Sequence, residues 1–157
     1  MTMRLTSSAF PHLGAIPARC TCDGEDCSPP LAWEGVPAEA RSLAFIVTDP
    51  DAPDPRAPRM TWVHWILYNM PASTRDLAEG VTDAQLPPGT RQGQNDWKQT
   101  GYRGPCPPIG RHRYFHSLYA LDTELPDLGT ATRAALDRAM TGHVLAVAEL
   151  VGTYGRS

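Results

Sequence analysis

The residues best equipped for chemistry fall in two stretches of the chain. One runs Asp49-Pro-Asp51-Ala-Pro53 and on to Trp62-Val-His64-Trp65; the other is Gly104-Pro-Cys106-Pro-Pro-Ile-Gly110-Arg-His112-Arg-Tyr114. Each sets ionisable side chains among proline-stiffened turns and aromatic strands. A binding site needs that combination, because preset backbone holds the contacts in place and aromatic walls keep bulk water out. A carboxylate such as Asp49 can fix the tautomer of an imidazole and raise its pKa, so that His64 beside it meets a phosphate as a partly cationic donor. His112 and Tyr114, on one strand face, add an imidazole and a phenol. Gly104 and Gly110 permit close backbone approach and can turn amide hydrogens toward an anion. Taken singly, each has a plainer reading: Asp49 as an Asx-turn, His64 as a satisfied core histidine, the Gly/Pro run as a turn. Their pairing is what points to one pocket for small phosphorylated or carboxylated ligands.

The same side chains could act as general-base machinery, with His64 as base and Asp49 as its orienter in a small hydrolase. Neither stretch contains a Gly-x-Ser-x-Gly elbow or an evident serine nucleophile, and no Walker-type loop or metal-clamp motif is visible. Binding is expected over catalysis, and no catalytic residue is assigned. An interaction module in which the pocket is incidental is the third reading.

Four cysteines, Cys20, Cys22, Cys27 and Cys106, raise the question of metal or disulfide. Cys-x-Cys-x4-Cys is a poor match to zinc knuckles. His112 and His116, four apart on a strand, are ~13 Å from each other and cannot share an ion. Neither metal nor cofactor is expected. Cys20 and Cys27 flank the Asp23-Gly24 turn signal and could bridge if their Cα atoms came within about 7 Å. Disulfide scaffolds belong to shorter, secreted chains, so free thiols are the leading expectation.

Strands must carry most of these residues. Sixteen prolines and 13 glycines are too many for a helical bundle, while 41% hydrophobic content is too high for disorder. After an irregular start, Ser42 to Thr48 reads as a buried strand, and four prolines from Pro50 to Pro58 are expected to forbid regular structure. Thr61 to Met70 is a second strand, with Trp62, His64, Ile66 and Tyr68 on one face by period 2. Positions 71–102 read as a long connection with at most a short strand or turn. His112 to Asp122 is a third strand, placing His112, Tyr114 and His116 on one side and Phe115 and Tyr119 on the other. Thr130 to Met140 suggests one amphipathic helix, started by Thr130 or Asp127 and stopped by Gly142; Val144 to Tyr154 reads as a final strand, although Leu145 to Leu150 alone could pass for helix.

The chain of 157 residues is expected to form a single domain over 1–157. Its formal net charge is -3 with basic residues scattered, which argues against a nucleic-acid partner. No stretch approaches the ~20 apolar residues of a membrane span, and no secretory signal is evident, so integral membrane association is not expected and the cytoplasm is the default location.

The two stretches resemble the signature regions of the phosphatidylethanolamine-binding protein family, and the chain is most similar to its bacterial Raf kinase inhibitor-like branch. Cys27-Ser-Pro-Pro-Leu-Ala-Trp33, Gln94-Asn-Asp96 before Gly101-Tyr102, Tyr119-Ala-Leu-Asp122 and Gly152-Thr-Tyr-Gly-Arg156 extend the likeness over nearly the whole chain. The resemblance implies a mostly β fold, an antiparallel β-sandwich with one or two peripheral helices, and a pocket for phosphate-like and carboxylate anions. Carried over by motif position, Asp49, His64, His112 and Tyr114 line that pocket, Pro53 and Trp62 shape its mouth, and Gly104 offers a backbone amide, with Asp51 and Cys106 nearby. The motifs do not carry the animal members' roles in kinase regulation; a role as regulator or inhibitor of a protein partner, and a homodimer, stay open. The animal members' C-terminal helix beside the pocket has no counterpart after Arg156, which implies a more open mouth.

Overall fold

The computed structural model describes residues 2–156. Eight strands and one α-helix follow in the order β1 (Arg4–Thr6), β2 (Leu31–Glu34), β3 (Ser42–Ala52), β4 (Met60–Pro71), β5 (Asp76–Leu77), β6 (Arg91–Gln92), β7 (Arg111–Leu121), α1 (Arg133–Met140) and β8 (Val144–Gly155). They form two antiparallel sheets, a small one ordered β1-β2-β5 and a large one ordered β6-β4-β3-β7-β8. The mostly β, antiparallel expectation holds. The short β1 and β2, within or just after the stretch read as irregular, carry too few residues for a period to show.

The large sheet is covered on both faces, which is why β3 and the middle of β4 read as unbroken apolar runs. Leu43, Phe45 and Val47 of β3 face the small sheet and meet Leu5, Leu31, Trp33 and Leu77 there. Ala44 and Ile46 face the other way and pack with Ile66, Tyr68 and Leu136 and Met140 of α1. The helix is shorter than the sequence suggested: Thr132 caps it, its hydroxyl accepting from the Ala135 amide at 3.2 Å, and not Thr130 or Asp127. Gly142 ends it with φ +84°, as its residue type predicted. No helix among the described residues is long and apolar enough to cross a membrane.

Two departures from the expected strands create the site. First, β3 runs on through Pro50 to Ala52 instead of stopping at Thr48. Pro50 is tolerated because the β3–β7 ladder has already ended at Thr48↔Phe115 and the β3–β4 register is broken between Asp49 and Ala52, so no ladder bond is asked of its missing N–H. Secondly, β4 contains a bulge. Val47 pairs with Trp65 while the next residue, Thr48, pairs with Val63, leaving His64 as the extra residue. Strict alternation would send His64 to the Ile66 face, under the helix. Instead Trp62 and His64 turn toward the end of the inter-sheet core while Ile66 and Tyr68 keep the opposite face, so the expected four-residue stripe is broken in two.

Candidate functional site

β7 alternates without interruption. His112, Tyr114, His116, Leu118 and Ala120 are buried on the inner face, as period 2 predicted, and Arg113, Phe115 and Tyr119 turn outward. At the open end of the core, Asp49 from β3, His64 from β4 and His112 and Tyr114 from β7 line one cavity of about 220 Å³. Trp62 and Pro53 form part of its wall, with Cys106 of the proline-rich loop opposite. That volume lies below the about 300–1,000 Å³ of drug-sized sites.

Trp97 completes the wall. It lies in the long connection and was not among the expected site residues. Its ring meets the edges of His64 at 5.0 Å and Trp62 at 5.6 Å. Buried Asn95 builds the turn that presents it: the side-chain oxygen accepts from the Trp97 and Gln99 amides at 3.0 and 3.2 Å, and the side-chain nitrogen donates to the Gly101 carbonyl. The Gln94-Asn-Asp96 run directly before it was the available signal.

The carboxylate–imidazole pair is not the one proximity in sequence suggested. Asp49 Oδ2 lies 2.6 Å from Nδ1 of His112, across the β3–β7 pairing, and not beside His64. Asp49 Oδ1 accepts from the Asp51 amide, the Asx-turn that was its plain reading. Nε2 of His112 in turn faces the Ile109 carbonyl at 2.9 Å. Both neighbours of the ring are oxygen acceptors. The bonds are all made if the ring carries hydrogen on both nitrogens, or if Asp49 holds the proton on Oδ2 and the ring keeps one on Nε2. Either way the pair has no net charge. Burial pushes the Asp49 carboxyl above its ordinary pKa, against the opposing pull of the His112 hydrogen bond.

His64 is held from outside the pocket. Its Nδ1 donates to the Arg103 carbonyl at 2.6 Å, and burial drives its pKa from 6.5 down to about 4. The ring is therefore neutral at pH 7, with Nε2 left as a lone pair. This corrects the expectation of a partly cationic donor, which assumed that Asp49 would sit beside it. The O–H without a partner in this region is that of Tyr114. Its ring stands edge-on to His64 with centroids 5.3 Å apart, and its hydroxyl is buried without any hydrogen-bond partner among the described residues.

Two expected contributors do other work. Asp51 is absent from the cavity wall; it clamps Arg113, accepting from the backbone amide at 2.9 Å and from the guanidinium at 2.8 and 2.9 Å, which extends the β3–β7 junction past the last ladder pair. The Arg113 guanidinium accordingly lowers the Asp51 pKa. Gly104 turns its amide away from the pocket, to Asp26 Oδ1 at 2.9 Å. It is glycine because a Cβ there would collide with the Cys20 carbonyl and the Asp26 carboxylate.

That close approach overturns the thiol expectation. The loop around Cys20–Cys27 lies against the 102–106 segment, with the Tyr102 hydroxyl donating to the Cys20 carbonyl at 2.6 Å and the Cys22 amide to the Pro105 carbonyl at 3.1 Å. Cys22 and Cys106 meet with Cα atoms 5.4 Å apart and form a disulfide. Cys20 is instead buried in the core, and Cys27 points its sulfur at the Arg19 carbonyl, so no Cys20–Cys27 bridge forms.

A family profile described as phosphatidylethanolamine-binding protein matches residues 6–155. The chain belongs to the phosphatidylethanolamine-binding protein family. Among its relatives in that family it is 52% identical to a UPF0098 protein of Methanothermobacter thermautotrophicus, over 98% of this chain and 99% of the other. Among solved structures it is similar to the phosphatidylethanolamine-binding protein homologue CT736 of Chlamydia trachomatis, at 43% identity and a TM-score of 0.91 over 99% of both chains. It is also similar to YbcL of E. coli, described as a new member of the mammalian family, at 30% identity and a TM-score of 0.89 over 100% of both. A carboxypeptidase Y inhibitor, solved with its cognate proteinase, shares the fold at 15% identity and a TM-score of 0.63, over 99% of this chain and 83% of the inhibitor.

Proposed function

We propose that this protein binds the oxyacid head of a small ligand, a phosphate ester or a carboxylate, in the pocket lined by Asp49, His64, Trp97, His112 and Tyr114. The observation that carries the reading is the Tyr114 hydroxyl. A buried, unpaired hydroxyl costs about 1–3 kcal/mol, so its retention at a cavity wall argues for a partner that arrives from outside. The tryptophans and prolines at the mouth exclude water and would flank the non-polar or alcohol portion of the ligand.

Binding without turnover fits the lining better than hydrolysis. Asp49 orients His112, not His64, and His112 has its second nitrogen committed to the Ile109 carbonyl. Among the described residues no serine or threonine lines the cavity, and Cys106 is held in a disulfide, which leaves Tyr114 or a bound water for a base to activate.

Titration calorimetry with phosphoethanolamine, chosen from the family's described ligand, tests the reading. Tyr114→Phe is expected to weaken binding by about 1–2 kcal/mol, the scale of one hydrogen bond to a charged group, with the fold unchanged. The ester should be recovered intact after prolonged incubation. Unchanged affinity in both Tyr114→Phe and His64→Ala would place the site elsewhere, and release of inorganic phosphate would restore the hydrolase reading.

A further inference from the structure

Among the described residues the cavity wall holds no lysine or arginine; the Arg156 guanidinium reaches the sulfur of the wall residue Cys106 at 4.0 Å, but it is not itself part of the lining and is paired with Asp23. With one proton shared between Asp49 and His112 the pair contributes no net positive charge, and Tyr114 is a neutral phenol. His64 gives its Nδ1 hydrogen to the Arg103 carbonyl, which leaves Nε2 as an acceptor. The charged and titratable groups around His64 are few. Asp49, His112 and Tyr114 share the cavity, His116 lies deeper on β7, and the Arg103 guanidinium sits over the Trp97 ring at 4.9 Å. None of them donates to Nε2 or forms an ion pair with the ring among the described residues. A ligand entering this space meets one strong donor and one strong acceptor on rings 5.3 Å apart, and no cation along the wall.

A fully ionised oxyanion suits that arrangement poorly. It can accept from Tyr114, but a second oxygen then faces the Nε2 lone pair, and its charge has no opposite charge to offset desolvation. An oxyacid that keeps one proton suits it well.

Resting on the pocket reading above, we infer that the site selects oxyacids carrying a proton: one ligand oxygen accepts from the Tyr114 hydroxyl while a protonated ligand oxygen donates to Nε2 of His64. The class comprises the monoanions of phosphate and of phosphate monoesters, and carboxylic acids in their neutral form. Phosphodiesters and sulfate, which have no proton to give near neutral pH, are disfavoured. The depressed pKa of His64 points the same way, because a ring that resists protonation leaves the proton to the ligand. A headgroup released from its diester would thus be favoured over the intact lipid.

Inorganic phosphate and sulfate, alike in shape, are the probes. At about pH 6, where singly protonated phosphate predominates, phosphate should bind about tenfold or more tightly than sulfate, the penalty for facing lone pairs where a hydrogen bond is built to form. Phosphoethanolamine should lose affinity as pH rises above its second ionisation near about 6. Sulfate binding as tightly as phosphate would overturn the proton requirement while leaving the anion pocket standing. So would affinity for phosphoethanolamine that holds constant to about pH 8, well past that ionisation. Binding of neither phosphate nor sulfate, with phosphoethanolamine also inert, would remove the pocket reading itself and this inference with it.

Discussion

Lowering the pH from about 6.5 to about 4 is expected to strip on the order of 6 kcal/mol of folding stability from this protein. Two buried imidazoles are responsible. His64 and His116 each have a folded pKa of about 4 against an ordinary 6.5, with burial as the leading cause for both. Above pH 6.5 both rings are neutral in the folded and unfolded chain, and they impose no pH dependence. Below it the unfolded chain takes up two protons that the folded chain refuses until about pH 4, so stability falls steadily through that window and then levels off. At about 1.4 kcal/mol per pH unit, each ring accounts for roughly 3 kcal/mol. Asp49, raised by burial, works in the opposite sense, because its folded form takes up a proton before its unfolded form does, and it offsets part of the loss. Urea denaturation at half-unit pH steps gives the measurement. A midpoint that stays level from pH 6.5 to 4.5 would mean that the two rings are solvated. His116→Phe, packed against Phe10 and Phe45, should halve the slope.

The second large effect is expected from the Cys22–Cys106 disulfide. It joins positions 84 apart in sequence, and a loop of that length, by chain entropy, stabilises the folded state by about 4.5 kcal/mol. The double variant Cys22→Ser/Cys106→Ser should lose that amount relative to oxidised protein and nothing relative to reduced protein. Denatured, unreduced protein should titrate two thiols, Cys20 and Cys27, and four after reduction. Four thiols without reductant, or coincident denaturation midpoints for the oxidised protein and the double variant, would count against the bridge. Both cysteines of the bridge are solvent-exposed, so it is open to reductants. In a reducing cytoplasm they would be held as thiols, and the proline-rich wall would then rely on its hydrogen bonds to the Cys20–Cys27 loop.

Local pattern was enough to reveal much of this architecture. The apolar run from Leu43 to Val47 and the alternation from His112 to Ala120 announced central strands, because sheet geometry converts period 2 directly into faces. His112 and Tyr114 could be placed side by side for the same reason. What escaped detection depends on pairings between distant segments. Asp49 is closer in sequence to His64 than to His112, and only the β3–β7 register reveals which imidazole it meets. Cys22 and Cys106 come together through hydrogen bonds between loops with no repeating pattern. Trp97 belongs to a connection whose course is set by one buried asparagine. Gly104 was correctly marked as a point of close approach, but what approaches it is the chain's own Cys20–Asp26 loop.

The bulge at His64 makes the pocket a matter of counting. The parity of β4 reverses across it: odd-numbered Trp65 and Leu67 face the inner core just beyond it, and even-numbered Trp62 and His64 face the pocket before it. Length changes that a surface loop would absorb are therefore not neutral here. Removing Val63 would keep every polar group of the site in the chain and make the pairing regular at this point, yet it would rotate the His64 imidazole to the far side of the sheet. The spacing of Trp62, His64 and Trp65 is thus a constraint on the frame of the strand, separate from any constraint on residue type.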